Sequence, residues 1–205
     1  MKITWYGHAC FGIESGGSSV VIDPYDDSEG LFRLQPLHLS ADAVICSHEH
    51  SDHNNRSAVS LTGKACRLKI ESISCFHDNL QGRHLGNNLI HIISDDEFRV
   101  AHLGDLGHEL SKKQVEVIGK IDAMMVNTGG FIFSQAELAN ILADTLHPTV
   151  IIPMHYRSEE FGYIKMGTLQ DFTSLRNNVK YYDVNSIEIK DTTEKQTAIL
   201  KYIRN

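Results

Sequence analysis

The feature that most constrains the fold of this chain is a histidine-rich run that directly follows an apolar stretch. Val44-Ile45-Cys46 leads into Ser47-His48-Glu49-His50-Ser51-Asp52-His53. In extended backbone alternate side chains point to one side, so His48 and His50 can face one cation. Asp52 and His53 then offer a carboxylate and an imidazole to a neighbouring position. This nitrogen and oxygen donor set suits Zn, Fe or Mn and differs from cysteine-rich structural zinc.

One loop cannot complete two metal coordination shells, so we expect further ligands after other strands. His77 follows a predicted strand at 72–76, Asp105 follows one at 98–102, and His155 follows one at 149–152. Functional side chains gather beyond strand ends in layered α/β folds. Taken singly, each residue would be an ordinary loop residue, and the run at 48–53 a solvated polar loop. Their shared position favours a metal site, with His84 as a rival to His77.

The remaining pattern predicts a layered α/β domain spanning 1–205. Further strands are expected at 2–6, 11–14, 20–22, 42–46, 88–93, 122–126 and 197–202. A turn at Asp95-Asp96 joins two strands as a hairpin. Helical spacing appears at 111–119, 134–146 and 169–176, with Ser111 and Ser134 as N-caps and Glu137 completing a capping box. Strand-rich hairpins followed by strand and helix alternation indicate packed sheets with helices outside.

Composition limits the classes of function. The net charge of −7 disfavours a nucleic-acid module, which usually presents a basic face. No stretch approaches the roughly 18 apolar residues of a membrane span, and we expect a cytoplasmic protein that does not bind membranes. The four cysteines lack CxxC spacing, and Cys46 and Cys75 are expected to be buried thiols in a reducing compartment.

The histidine-rich motif, followed by His77, Asp105 and His155, resembles the metallo-β-lactamase superfamily. The fold implied is an αββα sandwich of two packed mixed sheets with helices on the outer faces. Further segments are similar to a compact branch that includes ascorbate-6-phosphate lactonase: Gly7-His8-Ala9-Cys10-Phe11, Val21-Ile22-Asp23-Pro24, Gly104-Asp105, Gly129-Gly130 and Ile152-Pro153-Met154-His155-Tyr156.

The resemblance implies two divalent cations, with zinc the first choice and Mn or Fe as alternatives. The implied ligands are His48, His50 and His77 for one metal, and Asp52, His53 and His155 for the other, with Asp105 bridging.

Three residues are predicted to act in catalysis. Asp52 is expected to bind the second metal and orient the attacking water. Asp23 is expected to fix the tautomer of a ligating histidine by accepting its other N–H. His8 is either a donor or substrate contact at the site or a structural residue.

The other histidines and the glycine pair have weaker patterns. His108 is read as a helix-entry residue, with proton donation as the alternative, and His102 as structural. His38, His91 and His147 are read as ordinary polar residues. Gly129-Gly130 forms a tight turn or lets the backbone approach the substrate.

A pair of cations that shares a water lowers its pKa and makes hydroxide available, which predicts a hydrolase acting on an ester, lactone or related bond of a small molecule. A phosphodiesterase or nuclease would instead use basic residues such as Arg83, Lys112, Lys113 and Arg157. A di-iron redox protein and a non-catalytic metal-binding protein are the other classes considered. The apolar stretch Phe131-Ile132-Phe133 leaves open a pocket or a homo-oligomer interface.

Overall fold

The computed structural model describes residues 1–130 and 135–204. In chain order the strands are β1 (Lys2–Gly7), β2 (Cys10–Ser15), β3 (Ser18–Ile22), β4 (Leu39–Ala41), β5 (Ala43–Ile45), β6 (Val59–Leu61), β7 (Lys69–Phe76), β8 (Asn87–Ser94), β9 (Arg99–His102), β10 (Ala123–Asn127), β11 (Val150–Met154), β12 (Val179–Tyr181), β13 (Ser186–Glu188) and β14 (Gln196–Ile199). The α-helices are α1 (Lys112–Ile118), α2 (Gln135–Leu146) and α3 (Leu169–Thr173), and Arg56–Ala58 forms a 3₁₀ turn.

The strands form two large mixed sheets and one small one. A five-stranded sheet has the order β13-β1-β2-β3-β5, antiparallel except for the parallel β3–β5 pair. A seven-stranded sheet has the order β12-β14-β11-β10-β9-β8-β7. Its β7-β8-β9 part is antiparallel, and its β9-β10-β11-β14-β12 part is parallel. The pair β4–β6 lies apart from both.

The inner strands of the seven-stranded sheet are buried on both faces, which explains their nearly continuous apolar sequence. Along β10, Ala123 and Met125 belong to a hydrophobic cluster shared with the five-stranded sheet, whereas Met124 and Val126 belong to a second cluster. This alternation follows from the two-residue period of a strand. The two sheets therefore pack face to face through the first cluster.

The second cluster lies under the helices. The buried apolar side chains of α1, α2 and α3 belong to it, including Ile118, Leu142 and Phe172. The predicted N-cap of α1 is confirmed, since Ser111 and Gln114 form a capping box. Thr168 and Asp171 form another at α3. The predicted cap at Ser134 falls outside the described residues. The layered α/β class is thus confirmed, with two mixed sheets and few helices.

Most predicted elements are present, with shifted ends. The strand expected at 149–152 extends to Met154, and the helix expected at 169–176 ends at Thr173. The hairpin turn at Asp95 is confirmed, and its carboxylate accepts hydrogen bonds from the backbone N–H groups of Glu97 and Phe98. Strands β4, β6, β12 and β13 were not predicted.

This topology places the ends of β1, β3, β5, β7, β9, β10 and β11 at a common edge. Five of the predicted site residues follow these strand ends: His8, Asp23, His48, His77 and His155. Among the described residues, every helix is too short or too polar to cross a membrane.

Candidate metal centre

The predicted ligands gather into two neighbouring groups. His48, His50 and His77 form one group, and Asp52, His53 and His155 form the other together with His8, which was not predicted as a ligand. The ligand-type atoms of each group lie within 4.8 Å of one another, as do those of Asp23, His48 and His53. Asp105 lies between the groups. Its Oδ2 is 3.0 Å from His77 Nε2, 3.2 Å from His155 Nε2 and 3.3 Å from His53 Nε2. One carboxylate oxygen therefore faces ring nitrogens of both groups.

The donor set fits bound divalent cations. His53 Nε2 and His155 Nε2 are buried and make no hydrogen bond, although both lie close to Asp105. A buried polar atom without a partner is costly, and a metal ion is one partner that removes the cost. Metal–donor distances of about 2.0–2.1 Å in a tetrahedral site place donor atoms about 3.3 Å apart. The separations of 3.0 to 3.3 Å around Asp105 Oδ2 are close to that spacing.

Asp23 fixes the orientation of one histidine in each group. Its Oδ2 lies 2.8 Å from His53 Nδ1 and 2.6 Å from Ser47 Oγ, and its Oδ1 accepts the Ser47 backbone N–H. Because an ionised carboxylate only accepts, both His53 Nδ1 and Ser47 Oγ must donate. Ser47 Oγ then accepts from His48 Nδ1 at 2.9 Å. With Nδ1 protonated, the neutral form of each histidine carries its lone pair on Nε2, the atom that faces the centre.

Asp105 is held by two asparagines that the sequence did not reveal as site residues. Asn127 Nδ2 donates to Asp105 Oδ1 at 2.7 Å, and Asn88 Oδ1 accepts the Asp105 backbone N–H at 2.9 Å. With Oδ1 committed to Asn127, Oδ2 is the oxygen presented to the histidines. Asn127 stands at the end of the apolar strand β10, so the strand-end rule applied to His77 and His155 would have found it.

Three site residues have left-handed backbone. His8, Asp23 and His155 have φ values of 51°, 48° and 59°, which is uncommon for residues other than glycine. Each follows a strand, and the conformation turns the chain sharply at that point. At His8 the carbonyl accepts from Trp5 Nε1 and from the His155 backbone N–H, so two elements hold the turn. Such strain persists where the surroundings enforce it and is commonest at functional sites.

His8 is placed against a ligand rather than at the surface. Its Nε2 lies 3.1 Å from Asp52 Oδ2, its ring centroid is 3.9 Å from that of His155, and its side chain is 1% exposed. The Asp52 side chain is 18% exposed. The geometry supports the first alternative for His8, in the form of a hydrogen-bond donor to Asp52 at the site, because its burial leaves no surface for a substrate contact.

Burial and mutual contact shift the ionisation of these groups. Burial, with His53 nearby, lowers the pKa of His48 to about 3, and burial with His155 nearby lowers the pKa of His8 to about 4. Burial opposes ionisation of Asp105, but His155 and His53 hold its pKa well below its usual value. Burial likewise acts against a charged His53, yet Asp105 and Asp23 raise its pKa well above its usual value. The Asp105 carboxylate and the His48 imidazole are therefore in the forms that bind metal.

The other histidines lie outside both groups. His84 is exposed, and its backbone N–H is bound by Asp78, so the geometry favours His77 as the ligand. His108 Nε2 accepts the Phe76 backbone N–H, which supports a structural role for His108 over proton donation at the centre. His102 is buried, with Nε2 donating to the Ala9 carbonyl and Nδ1 accepting from the Gly104 N–H. His102 therefore holds the turn that leads to Asp105.

His91, read from the sequence as an ordinary polar residue, is buried at 3% exposure in β8. Its ring is bound on both sides, by Ser72 Oγ and by the Cys46 carbonyl, each at 2.9 Å. It is a structural residue of the sheet.

At the glycine pair after β10 the backbone comes close to the backbone of a neighbouring segment. A Cβ on Gly129 would lie 2.6 Å from the His155 carbonyl oxygen, and the backbone N–H groups of Gly129 and Gly130 both donate to Asn127 Oδ1. Asn127 therefore connects Asp105 to this turn. The neighbouring stretch Phe131-Ile132-Phe133, considered above as a pocket or interface, lies outside the described residues.

Comparison with known proteins agrees with this arrangement. The family described as "Beta-lactamase superfamily domain" matches residues 2–155. A UPF0173 protein of Pyrococcus abyssi is 30% identical over 76% of this chain and 83% of its own length. A UPF0173 metal-dependent hydrolase of Thermoplasma acidophilum is 24% identical over 77% of this chain and 84% of its own length.

Solved structures show the same fold. A metallo-beta-lactamase superfamily protein of Thermotoga maritima has a TM-score of 0.73 and 29% identity, covering 97% of both chains. An isothiocyanate hydrolase from Delia radicum gut bacteria, at 15% identity and a TM-score of 0.64 over 98% of this chain and 97% of its own, shares the fold alone. Since the family match covers well over half of the residues, the chain belongs to the beta-lactamase superfamily domain family and is related to the UPF0173 proteins.

Proposed function

We propose that this chain is a metal-dependent hydrolase that holds two divalent cations, zinc as the first choice, and cleaves an ester, lactone or related bond of a small molecule. The observation that carries the proposal is the position of Asp105 Oδ2, within 3.3 Å of ring nitrogens from both histidine groups. The names of the related UPF0173 metal-dependent hydrolases support the same activity.

In this proposal His48, His50 and His77 hold one cation, Asp52, His53 and His155 hold the other, and Asp105 lies between them. Two such cations supply Lewis acidity and a water activated near neutral pH. Asp105 is the buried member of the acidic pair, at 3% exposure, and its second oxygen is bound by Asn127. It is therefore fixed in place and acts as a ligand.

The Asp52 carboxylate is more exposed than that of Asp105 and is less constrained by its neighbours. Its carboxylate is partly exposed and is hydrogen-bonded to His8, which orients it without covering it. Burial acts against ionisation, but His8 and His53 keep the pKa of Asp52 well below its usual value. Asp52 therefore accepts a hydrogen bond from a water in the site and orients it toward the substrate, as general-base geometry requires.

Elemental analysis of the purified protein tests the metal part of the proposal. We expect about two equivalents of zinc, manganese or iron per chain, with loss in His48→Ala. His84→Ala is the matched control, because His84 is an exposed histidine outside both groups. One equivalent in the wild type, or a full load in His48→Ala, would contradict the two-metal assignment.

Hydrolysis of p-nitrophenyl acetate, a γ-lactone and bis(p-nitrophenyl) phosphate tests the reaction. We expect ester or lactone cleavage that Asp105→Ala abolishes and His84→Ala retains. Cleavage of the phosphodiester alone would favour the nuclease class. A fully loaded protein that cleaves none of the three would contradict the hydrolase.

A further inference from the structure

Two loops meet beside the second group of ligands. One contains residues 26–33 and the other residues 157–165. The Gly162 backbone N–H donates to the Phe32 carbonyl at 2.7 Å. The Arg33 guanidinium donates to the Glu159 carbonyl at 2.8 Å and lies 3.4 Å from that of Ser158. Because backbone and side chain both join the loops, their neighbouring residues form one continuous surface.

Aromatic side chains connect this surface to the site. The Phe32 ring centroid is 4.6 Å from that of His8, which in turn contacts Asp52 and His155. Tyr163 lies on the other loop, with its ring centroid 6.3 Å from that of Phe32, within the range of paired aromatic rings. Both aromatic residues are half-buried.

Apolar side chains flank the aromatic pair in each loop. Leu31 precedes Phe32 and is 50% exposed, and Ile164 follows Tyr163 and is 73% exposed. We call Leu31, Phe32, Tyr163 and Ile164 the aromatic rim. Exposed apolar side chains next to a pair of contacting aromatic rings beside a functional site can form a ligand-binding surface.

The charges of the two loops oppose an anionic ligand. They carry five acidic residues and three basic ones: Asp26, Asp27, Glu29, Glu159 and Glu160 against Arg33, Arg157 and Lys165. Arg33 is engaged with backbone carbonyls, and Arg157 donates through Nε to the Met166 carbonyl at 2.7 Å. Lys165 makes no such contact among the described residues, but one lysine beside five carboxylates does not make the electropositive surface that a phosphorylated or carboxylated substrate needs.

We infer that the aromatic rim is a substrate subsite that takes a neutral apolar group, preferably an aromatic ring, next to the Asp52 and His155 side of the centre. The inference rests on the proposed function and narrows its substrate class. Within the rim, Phe32 and Tyr163 are the residues that determine substrate specificity, because Phe32 contacts His8 beside the ligands and Tyr163 contacts Phe32.

The test compares thiols of different side groups on the protein loaded with Co²⁺, since thiolates bind such metals and their Co²⁺ complexes absorb light. We expect benzyl mercaptan to bind about tenfold more tightly than 2-mercaptoethanol, the gain from burying roughly half of a phenyl ring. Phe32→Ala and Tyr163→Ala should each reduce the ratio to about threefold or less. Phe32→Leu keeps an apolar side chain if the alanine variant does not fold.

Tyr181→Ala is the matched control, because Tyr181 is an aromatic residue of the β12 edge with 70% exposure. It should leave the ratio unchanged. A wild-type ratio near one, a ratio that neither rim substitution changes, or tighter binding of the anionic 3-mercaptopropionate than of benzyl mercaptan would overturn the subsite.

Saturation-transfer NMR with benzyl alcohol on metal-free protein separates this inference from the proposed function. Saturation transfer to the phenyl protons in the wild type, lost in Phe32→Ala, would support the rim. If the protein also binds no metal, only the hydrolase is contradicted. Metal bound in full, with neither phenyl selectivity nor transfer, would overturn the rim and leave the hydrolase standing.

Discussion

Asp23→Asn is expected to weaken metal binding in both groups at once, although Asp23 is assigned to neither. The carboxylate accepts three hydrogen bonds, from His53 Nδ1, Ser47 Oγ and the Ser47 backbone N–H. An asparagine keeps one acceptor oxygen and replaces the other with an N–H₂ group that donates. His53 would then carry its proton on Nε2, the nitrogen that faces the centre, and the same change reaches His48 through Ser47.

The expected size follows from these contacts. Loss of the partner that orients a ligating histidine lowers metal affinity about 10- to 100-fold, or roughly 1.4 to 2.8 kcal/mol per site. Ser47→Ala interrupts the path to His48 but leaves the Asp23–His53 contact at 2.8 Å. It should therefore weaken only the group that contains His48. Asp23→Asn should weaken both.

Competition for zinc with a chromophoric chelator measures both affinities. Asp191→Asn, a change at an exposed aspartate outside the site, should match the wild type. Circular dichroism confirms that the variants are folded. If folded Asp23→Asn bound both equivalents within threefold of the wild type, the tautomer argument would be refuted.

Three more substitutions test the site and the core. Asn127→Ala removes the 2.7 Å donor to Asp105 and should reduce metal affinity about tenfold in the same chelator assay; unchanged affinity would contradict a positioning role. Burial, with His155 nearby, lowers the pKa of His8 from 6.5 to about 4, so between these values the unfolded chain binds a proton that the folded chain does not. His8 alone should lower the unfolding free energy of metal-free protein by about 3 kcal/mol between pH 6.5 and 4, in addition to the contributions of the other shifted groups, so His8→Gln should show a shallower slope than the wild type in urea titrations; equal slopes would count against this. Phe172→Ala, at 0% exposure, should cost about 3–5 kcal/mol in chemical denaturation, whereas Leu175→Ala, at 44% exposure, should change little.

Strands buried on both faces were predictable from the sequence, and most three-residue strands were not; the exception, β5, lies within the apolar run predicted as a strand at 42–46. Strands β10 and β11 consist mainly of buried apolar residues, and β8 contains the buried Ile90, Ile92 and Ile93, so their runs stand out. Strands β4, β6, β12 and β13 have three residues each and at most one buried residue apiece. Three residues do not establish a period of two, and pairing partners distant in sequence decide whether such segments become strands.

The predicted ligands share a position after strands, and the same rule would have found Asn127, but Asn88 is identified only by its tertiary contact. Asn88 lies within β8 and reaches Asp105 across the sheet, and nothing in its local sequence distinguishes it from Asn87. For His91 the sequence interpretation was wrong, because a buried structural residue was taken for an ordinary polar one. An isolated histidine between isoleucines at 90 and 92 is a buried residue, and a sequence window that weighs only ligand patterns misses it.

The two groups are held by the same two carboxylates, which makes them one centre. Asp105 faces ring nitrogens of both groups from one side, and Asp23 holds His53 directly and His48 through Ser47 from the other. Displacing either carboxylate therefore changes donors in both groups.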